Sequence, residues 1–271
     1  MSFISNVSFI GGGNMAGAII DAILCSKVIV PQQISLFDPS SEKCAAFKAK
    51  GINIEKSNIE LSKKNDILIL AVKPQMMEFV LKEISPHLNC KCIVSIAAGV
   101  SVEYIKEAIG YCCPVVRVLP NTPMLTLAGM TVLAEAPDVP SDIFTFIKSI
   151  FESAGEVTVL PESKINEAIP LSSSSPAFFF RMLNAMAKCG VRHGISYNDA
   201  FKLAAVSMIG SAKYALNSEK TPEELIAQVS SPGGTTVAAL SAFDDFDFEN
   251  FLSDAFNRCI KRAYELGDSS K

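Results

Sequence analysis

The chain has 271 residues, of which 49% are hydrophobic, and its formal net charge at pH 7 is −4. This length and apolar content predict one large domain or two ordinary domains with a sizeable core. The charge gives no basic surface for nucleic acid, and the longest apolar runs are too short to cross a bilayer. Because the first residues lack the basic n-region of a signal sequence, we expect a soluble, cytoplasmic protein that binds neither nucleic acid nor membrane.

Strand-like and helix-like segments alternate up to about residue 160. The run at 66–72 (DILILAV) is typical of a strand buried on both faces of a parallel sheet, and the runs at 92–96 and 115–119 share this character. Repeated β-α alternation predicts an α/β fold with a Rossmann-like, doubly wound parallel sheet. Further strands are predicted at 7–10, 33–37, 130–134 and 156–160, and helices at 16–26, 41–50, 75–84, 102–109 and 142–153.

The strand-like runs end near residue 161. Helices are then predicted at 164–190, 197–217, 221–229, 235–242 and 248–267. We therefore predict two domains, an α/β domain at 1–161 and an all-helical domain at 162–271. The run at 176–194 (PAFFFRMLNAMAKCGVRHG) is apolar nearly all round, which indicates a helix buried against a partner subunit.

A glycine-rich turn joins the first predicted strand to the first helix. Its pattern, G-x-G-x-x-A, allows a tight turn, a close approach of backbone to a pyrophosphate, and close packing of the helix on the strand. The N-terminus of the helix offers N–H groups and partial positive charge to phosphates. The domain at 1–161 is therefore predicted to bind a dinucleotide. The predicted contacts are Gly11, Gly12, Gly13, Asn14, Met15 and Ala16.

Asp38, at the end of the second predicted strand, leaves two interpretations of the cofactor open. An acid there accepts from a ribose 2′-OH and repels a 2′-phosphate, which favours NADH. Alternatively, Asp38 turns away to cap the following helix, and Ser40 then meets the 2′-phosphate of NADPH.

Three loops follow strands whose carboxyl ends share one edge of the predicted sheet, at 71–74, 97–99 and 120–123. Their small residues and prolines can form an apolar surface that excludes water from a nicotinamide ring. Lys73 is either a contact of the cofactor ribose or a solvated lysine at a strand end. Asn121 either hydrogen-bonds near the nicotinamide or makes an Asx-type turn.

The loop SSPGGTT at 230–236 joins two predicted helices of the second domain. It ends at a helix N-terminus with two hydroxyls and several N–H groups, which suits a small carboxylate. A capped turn between helices with no ligand is the alternative. The candidate substrate contacts are Ser231, Gly233, Gly234, Thr235 and Thr236.

The chain has eight cysteines and only two histidines, His87 and His193. The cysteines are adjacent or one residue apart in places, no CxxC pair occurs, and we expect reduced, mostly buried thiols and no metal site. Nothing resembles a dehydrogenase His–Asp pair, and neither histidine is expected to act as a base. The missing acid disfavours an alcohol or ketone substrate and suits a protonated imine.

Five segments in this order resemble pyrroline-5-carboxylate reductases: GGGNMAGA at 11–18, AVKP at 71–74, SIAAG at 95–99, VVRVLPNTPMLTLAG at 115–129 and SPGGTT at 231–236. The resemblance spans about residues 7–265. It implies hydride transfer from NAD(P)H to 1-pyrroline-5-carboxylate, giving L-proline in the last step of proline biosynthesis. It also implies a homodimer that can assemble into a ring such as a decamer.

The resemblance assigns roles to individual residues. It makes Thr236 the catalytic contact of the imine nitrogen with Glu219 in support, and it favours NADPH. It implies further cofactor contacts by Ser40, Asn58, Ala71, Val72, Lys73, Pro74, Ala97, Gly99 and Asn121.

Ser172 and Phe178 depart from the family pattern, which has a glycine and a tyrosine there, so the local geometry is open. Two alternative functions also remain. A related β-hydroxyacid-type dehydrogenase would share both domains and use a lysine as acid or base, for which Lys164 and Lys188 are the nearest candidates. A non-catalytic NADP(H)-sensing protein would keep the glycine turn without a carboxylate cradle.

Overall fold

The computed structural model describes residues 6–63 and 65–268, so the expectation about a signal sequence at the first residues lies outside them. Eight strands of the described residues form one sheet. They are β1 (Val7–Ile10), β2 (Ile34–Phe37), β3 (Asn53–Ile54), β4 (Ile67–Leu70), β5 (Cys92–Ser95), β6 (Val115–Leu119), β7 (Gly129–Ala134) and β8 (Gly155–Leu160). The order in the sheet is β3-β2-β1-β4-β5-β6-β7-β8. The predicted strands are confirmed to within two residues, whereas β3 was not predicted.

The predicted parallel sheet is confirmed for its first six strands, and the last two strands extend it through one antiparallel pairing that was not predicted. Strands β1 to β6 run parallel, but β7 pairs antiparallel with β6, and β8 is parallel to β7. The physical reason is the connection from β6 to β7, which is a 3₁₀ turn at Thr122–Thr126 instead of a crossover helix. A parallel strand needs the longer crossover.

Six helices cover the two faces of the sheet: α1 (Asn14–Ser26), α2 (Ser41–Ala49), α3 (Asn58–Ser62), α4 (Pro74–Ile84), α5 (Val102–Ala108) and α6 (Ser141–Glu152). One core layer joins the sheet to α1, α2 and α6, and the other joins it to α3, α4 and α5. The doubly wound architecture is thereby confirmed. Because β2 and β4 flank β1, the chain changes winding direction at β1, and ligands of such sheets bind at this switch point.

The helix predicted at 164–190 is interrupted. The structure has α7 (Ile165–Ala168), a π-helical turn at Ile169–Ser173 and then α8 (Ser175–Arg192). Pro170 lies in the π-helical turn, where it has no N–H for the regular helical ladder. Residues of α7 and this turn pack on β6 and β7 in a third, small core that includes Leu119 and Ile165.

The chain divides into two compact units. The sheet unit runs to Pro176 and resumes at Cys259, and the helical unit is Ala177–Arg258. The remaining helices are α9 (Tyr197–Leu216), α10 (Pro222–Gln228), α11 (Thr235–Asp245) and α12 (Phe248–Asp268). The predicted domain boundary at residue 161 rests on sequence character and stays a prediction. Within the described residues, no helix is both long and apolar enough to cross a membrane.

Candidate functional site

The glycine turn lies at the switch point of the sheet. Gly11 has φ +99°, and a Cβ built on it would lie 2.6 Å from the carbonyl oxygen of Ala71 in the loop after β4. The N–H of Gly11 donates to Phe37 at the end of β2 over 2.9 Å. Gly13, in contrast, has open space where a Cβ would stand. The first glycine is therefore required by the protein itself, and the second leaves room for a ligand.

Helix α1 begins directly after this turn. Gly13 is its N-cap residue, and no side chain caps the helix. The N–H groups of the first turn of α1 are thus available to an anion. The N–H of Gly12 is already committed, because it donates to Oδ2 of Asp38 over 2.8 Å. The turn can therefore bind phosphate through α1, while Gly12 fixes its shape.

Asp38 faces into the protein. Its Oδ1 accepts from the N–H of Ser40 at 2.9 Å, and Lys43 lies 3.3 Å from Oδ2. Burial raises the pKa of Asp38, but the N–H groups of Gly12 and Ser40 and the Lys43 ammonium outweigh it and hold the pKa below its ordinary value. The N-cap of α2 is Ser40, whose hydroxyl accepts from the N–H of Lys43. Asp38 thus supports the turn that carries Ser40 and does not cap α2 itself.

A cavity of about 260 Å³ opens beside the glycine turn at the switch point. Asn58 lies on its wall and donates to Glu83 over 2.7 Å. The loop at 71–73 also lines it, with Lys73 exposed at the N-cap of α4. Lys43 adds a second cation, and the exposed side chains of Met76 and Phe79 add apolar surface. The predicted contacts Gly11, Gly13, Asn58, Ala71, Val72 and Lys73 therefore meet in one cavity.

The other two loops at this edge are tied to structure beyond the sheet. A Cβ on Gly99 would lie 3.0 Å from the carbonyl oxygen of Ala263 in α12, so this glycine allows close packing of that helix. Asn121 is buried, donates to the carbonyl of Ser172 over 3.0 Å and accepts from the N–H of Met130 at 2.9 Å. These bonds differ from an Asx-type turn. Cofactor contacts by Ala97, Gly99 and Asn121 stay predictions.

A buried ionic network that was not predicted connects the segments that carry these loops. Arg117 on β6 is 4% exposed, donates to Asn166 over 2.6 Å and lies 3.6 Å from Oε1 of Glu162. The same Glu162 oxygen accepts from the N–H of Val102, the first residue of α5, at 3.0 Å. The network thus links β6, the segment after residue 99 and the turn before α7. An arginine inside the apolar run VVRVL was the available signal.

The loop at 230–236 lies in the helical unit, as predicted. Helix α11 begins at Thr235, its N-cap Gly234 has no side-chain cap, and Gly233 has φ +71°. A Cβ on Gly234 would lie 2.7 Å from Oγ of Ser231, so the loop is tightly folded. Among the described residues, Oγ of Ser230 is buried without a hydrogen-bond partner. The uncapped helix end leaves backbone N–H groups available to a carboxylate.

The remaining candidates are not assembled around this loop within the chain. Glu219 is exposed in the segment between α9 and α10, and in the described part of the chain it makes no hydrogen bond with Thr236. His193 is exposed in the turn after α8, and His87 is exposed before β5, at the amino end of the sheet. The carboxyl end carries the glycine turn, so His87 lies at the wrong edge for the cofactor.

Both departures from the family pattern fit their surroundings. Ser172 does not have a positive φ, and its hydroxyl donates to the carbonyl of Ala168 over 3.2 Å. No glycine is needed for this backbone. Phe178 packs on Phe256 with ring centroids 6.4 Å apart.

The thiols differ from the expectation in one respect. All eight cysteines are free, but only Cys92 and Cys113 are buried, so the prediction of mostly buried thiols was wrong. Several cysteines lie on the solvent faces of helices, which a spacing argument does not reveal. The described residues hold no group of three or more His, Cys, Asp or Glu side chains that could bind a metal.

The Rossmann-like sheet, the uncapped α1 and the cationic cavity at the switch point define an oxidoreductase that uses a nicotinamide dinucleotide. The chain is 37% identical over 265 residues to pyrroline-5-carboxylate reductase from Escherichia coli K12, covering 97% of this chain and 98% of the relative. The chain belongs to the pyrroline-5-carboxylate reductase family.

Family models and solved structures agree with this assignment. The model "Pyrroline-5-carboxylate reductase dimerisation" matches residues 162–266, and "NADP oxidoreductase coenzyme F420-dependent" matches 6–99. A pyrroline-5-carboxylate reductase from Coxiella burnetii has a TM-score of 0.89 at 30% identity, covering 97% of this chain and 99% of that one. The Plasmodium falciparum pyrroline carboxylate reductase with NADP bound has a TM-score of 0.89 at 26% identity, covering 98% and 99%.

Proposed function

We propose that the protein reduces 1-pyrroline-5-carboxylate to L-proline, with NADPH as the preferred hydride donor. The observation that carries the substrate assignment is the uncapped N-terminus of α11, which is preceded by the folded Ser231–Gly234 turn. An uncapped helix end with adjacent hydroxyls binds a carboxylate through N–H groups and partial positive charge. The substrate of the proposed reaction carries one carboxylate and one imine nitrogen, which matches this donor set.

The chemistry needs orientation more than proton transfer by a side chain. When bound, a reduced nicotinamide would supply the hydride for the imine carbon. The backbone of Gly233–Thr235 holds the carboxylate through N–H groups other than that of Gly234, which donates to the carbonyl of Ser231 over 2.9 Å. The hydroxyl of Thr236 hydrogen-bonds the imine nitrogen and orients the ring. Glu219 supports Thr236 in the assembled enzyme. Both histidines are exposed and lie outside this loop, which supports a mechanism without a histidine acid.

The preference for NADPH is supported by the orientation of Asp38. Its two carboxylate oxygens already accept from Gly12, Ser40 and Lys43, so the ribose 2′-OH would compete with three donors. Lys43 lines the cavity with its ammonium, and Ser40 follows the lining residue Pro39 at the N-cap of α2, a pair of groups that suits a 2′-phosphate. The exposed ring of Phe79 offers a flat apolar surface for the adenine.

A homodimer is supported by the small core of the helical unit. Only Leu183, Ala187, Ala200 and Ala204 are buried among the apolar side chains of 177–258. Large side chains of the same unit are exposed, including Leu216 at 86% and Phe246 at 85%. Surfaces of this kind are normally covered by a partner. Assembly into a ring such as a decamer and a cytoplasmic location stay predictions.

The test is a steady-state assay of imine-dependent oxidation of NADPH and NADH. Thr236→Ala removes one charge-assisted hydrogen bond, so kcat/KM for the imine should fall by roughly 10- to 150-fold, equivalent to about 1.5–3 kcal/mol. Ser241→Ala on the same helix is the control, because within the described part of the chain the Ser241 hydroxyl donates to the carbonyl of Ala238, one turn earlier in the same helix. The mechanism is wrong if Thr236→Ala keeps wild-type kcat/KM while a histidine variant loses activity. A tenfold preference for NADH would refute the cofactor assignment alone.

A further inference from the structure

A cluster of three thiols lies at the amino end of the sheet, away from the cofactor loops. Sγ of Cys90 and Sγ of Cys113 are 3.5 Å apart. Cys90 lies two residues before β5 and Cys113 two residues before β6, and these strands are neighbours. Cys112 is exposed and contacts Cys113 through a hydrogen bond between the thiols. The dinucleotide loops follow the carboxyl ends of the same strands.

Only one pair in this region is positioned for a bond. Cys113 and Cys90 belong to the same core layer, whereas Cys92 lies in the layer on the opposite face of the sheet. Cys90 precedes the strand and packs on the layer of Cys113, so Cys92, on the other layer, cannot replace it. Cys112 is adjacent to Cys113 in the chain, and a disulfide between neighbours is strained. A bond between Cys90 and Cys113 requires the sulfurs to approach from 3.5 Å to about 2.05 Å.

We propose that Cys90 and Cys113 form a reversible disulfide that joins β5 to β6 when the protein meets a low-molecular-weight disulfide oxidant. The thiolate of Cys90 attacks one sulfur of the oxidant, the oxidant's S–S bond breaks, and one small thiolate leaves. Cys113 then loses its proton and attacks Sγ of Cys90, which releases the second small thiolate. The two protein thiols lose two electrons and two protons, and the oxidant becomes two thiols.

The environment sets the order of these steps. Cys90 is partly accessible, and Cys113 is buried. The hydrogen bond to Cys90 and burial raise the pKa of Cys113. Cys113 is therefore a poor first nucleophile, and it reacts only after Cys90 carries the small thiol. The reaction should accelerate as the pH rises.

The test uses the complete protein with oxidised glutathione, alkylation of the remaining thiols and non-reducing tryptic mapping. Cleavage after Lys91 separates Cys90, in peptide 83–91, from Cys92, while Cys112 and Cys113 share peptide 107–117. We expect these two peptides to be linked in the wild type and in Cys112→Ser, and unlinked in Cys90→Ser and Cys113→Ser. A reducing agent should reverse the linkage.

Two further measurements, of melting temperature and of kcat/KM, distinguish the Cys90–Cys113 bond from incidental oxidation. The melting temperature of the oxidised wild type should rise by roughly 5 °C and that of oxidised Cys90→Ser should not. The value of kcat/KM should stay within about twofold, because the bond lies at the edge opposite the cofactor loops. The proposal fails if glutathione modifies only the exposed Cys25 and Cys189. It also fails if Cys112→Ser abolishes the linkage, because the bonded residue would then be Cys112.

Discussion

Replacing the first and the second glycine of the dinucleotide turn should have different consequences. A Cβ at Gly11 would lie 2.6 Å from the carbonyl oxygen and 3.0 Å from the carbonyl carbon of Ala71, at a residue with φ +99°. A Cβ at Gly13 would meet no protein atom within 4 Å, and its φ of −76° suits any residue. The two alanine variants therefore separate what the fold requires from what the ligand requires.

The structure sets the size of each effect. Alanine at a positive φ costs about 1–2 kcal/mol, and the Ala71 carbonyl is backbone, which can move only by displacing the loop after β4. Gly11→Ala should therefore lower the free energy of unfolding by roughly 2–4 kcal/mol. It should also raise KM for NADPH, because the loop at 71–74 lines the same cavity. Gly13→Ala should keep wild-type stability and still raise KM by roughly tenfold or more, about 1.4 kcal/mol.

Urea unfolding and NADPH titration of both variants provide the assay. The decisive observation is the pair of results for Gly13→Ala, since its methyl group enters only the space left for the pyrophosphate. Wild-type affinity for NADPH in a stable Gly13→Ala protein would show that the phosphates do not approach α1 at this residue. The predicted cofactor pose would then be wrong, although the glycine turn would remain a structural requirement of β1 and β4.

Two further predictions concern buried charges. Because the pKa of Asp38 is lowered in the folded protein, its contribution to stability is present above the unfolded pKa of about 4 and is lost as the pH falls below that value. Asp38→Asn should flatten this acid limb in unfolding measured against pH, and an unchanged limb would contradict it. Arg117→Met should lower the free energy of unfolding by about 1.5–3 kcal/mol, because it leaves Asn166 and Glu162 without their buried donor. Glu162→Gln should cost less, since its amide oxygen can still accept from Val102, and equal losses would contradict this network.

The extent to which the sequence predicts the structure depends on the kind of feature. Strands β4, β5 and β6 were predicted closely because strands buried on both faces are continuous apolar runs. The antiparallel direction of β7 was not predicted, because it depends on the path of the preceding 3₁₀ turn and not on the residues of the strand. The break near Pro170 could have been predicted, since proline disfavours a continuous helix.

The orientation of the side chains at the site could not be predicted from the sequence. The residue types around Asp38 allowed two orientations, and only the packing of Gly12 and Ser40 on its carboxylate distinguishes them. The amide of Asn121 likewise bonds partners 51 and 9 residues away in the chain. Such contacts depend on how distant segments meet, which local patterns do not encode. The helical unit is a different case, because the apolar run of α8 predicts burial against a partner subunit from sequence alone, and that burial stays a prediction.

The two units differ in whether each can form its ligand site without a partner subunit. The sheet unit has two core layers of its own beneath the glycine turn, so the dinucleotide cavity needs no partner. The proposed carboxylate cradle lies in a unit whose large apolar side chains, such as Leu216 and Phe246, are mostly exposed. Its α11 should therefore be held in place by the dimer. Dilution into the dissociation range should then abolish imine reduction while NADPH binding, followed by fluorescence, persists. Equal loss of both on dilution would show that the cavity beside Gly11 also depends on the partner.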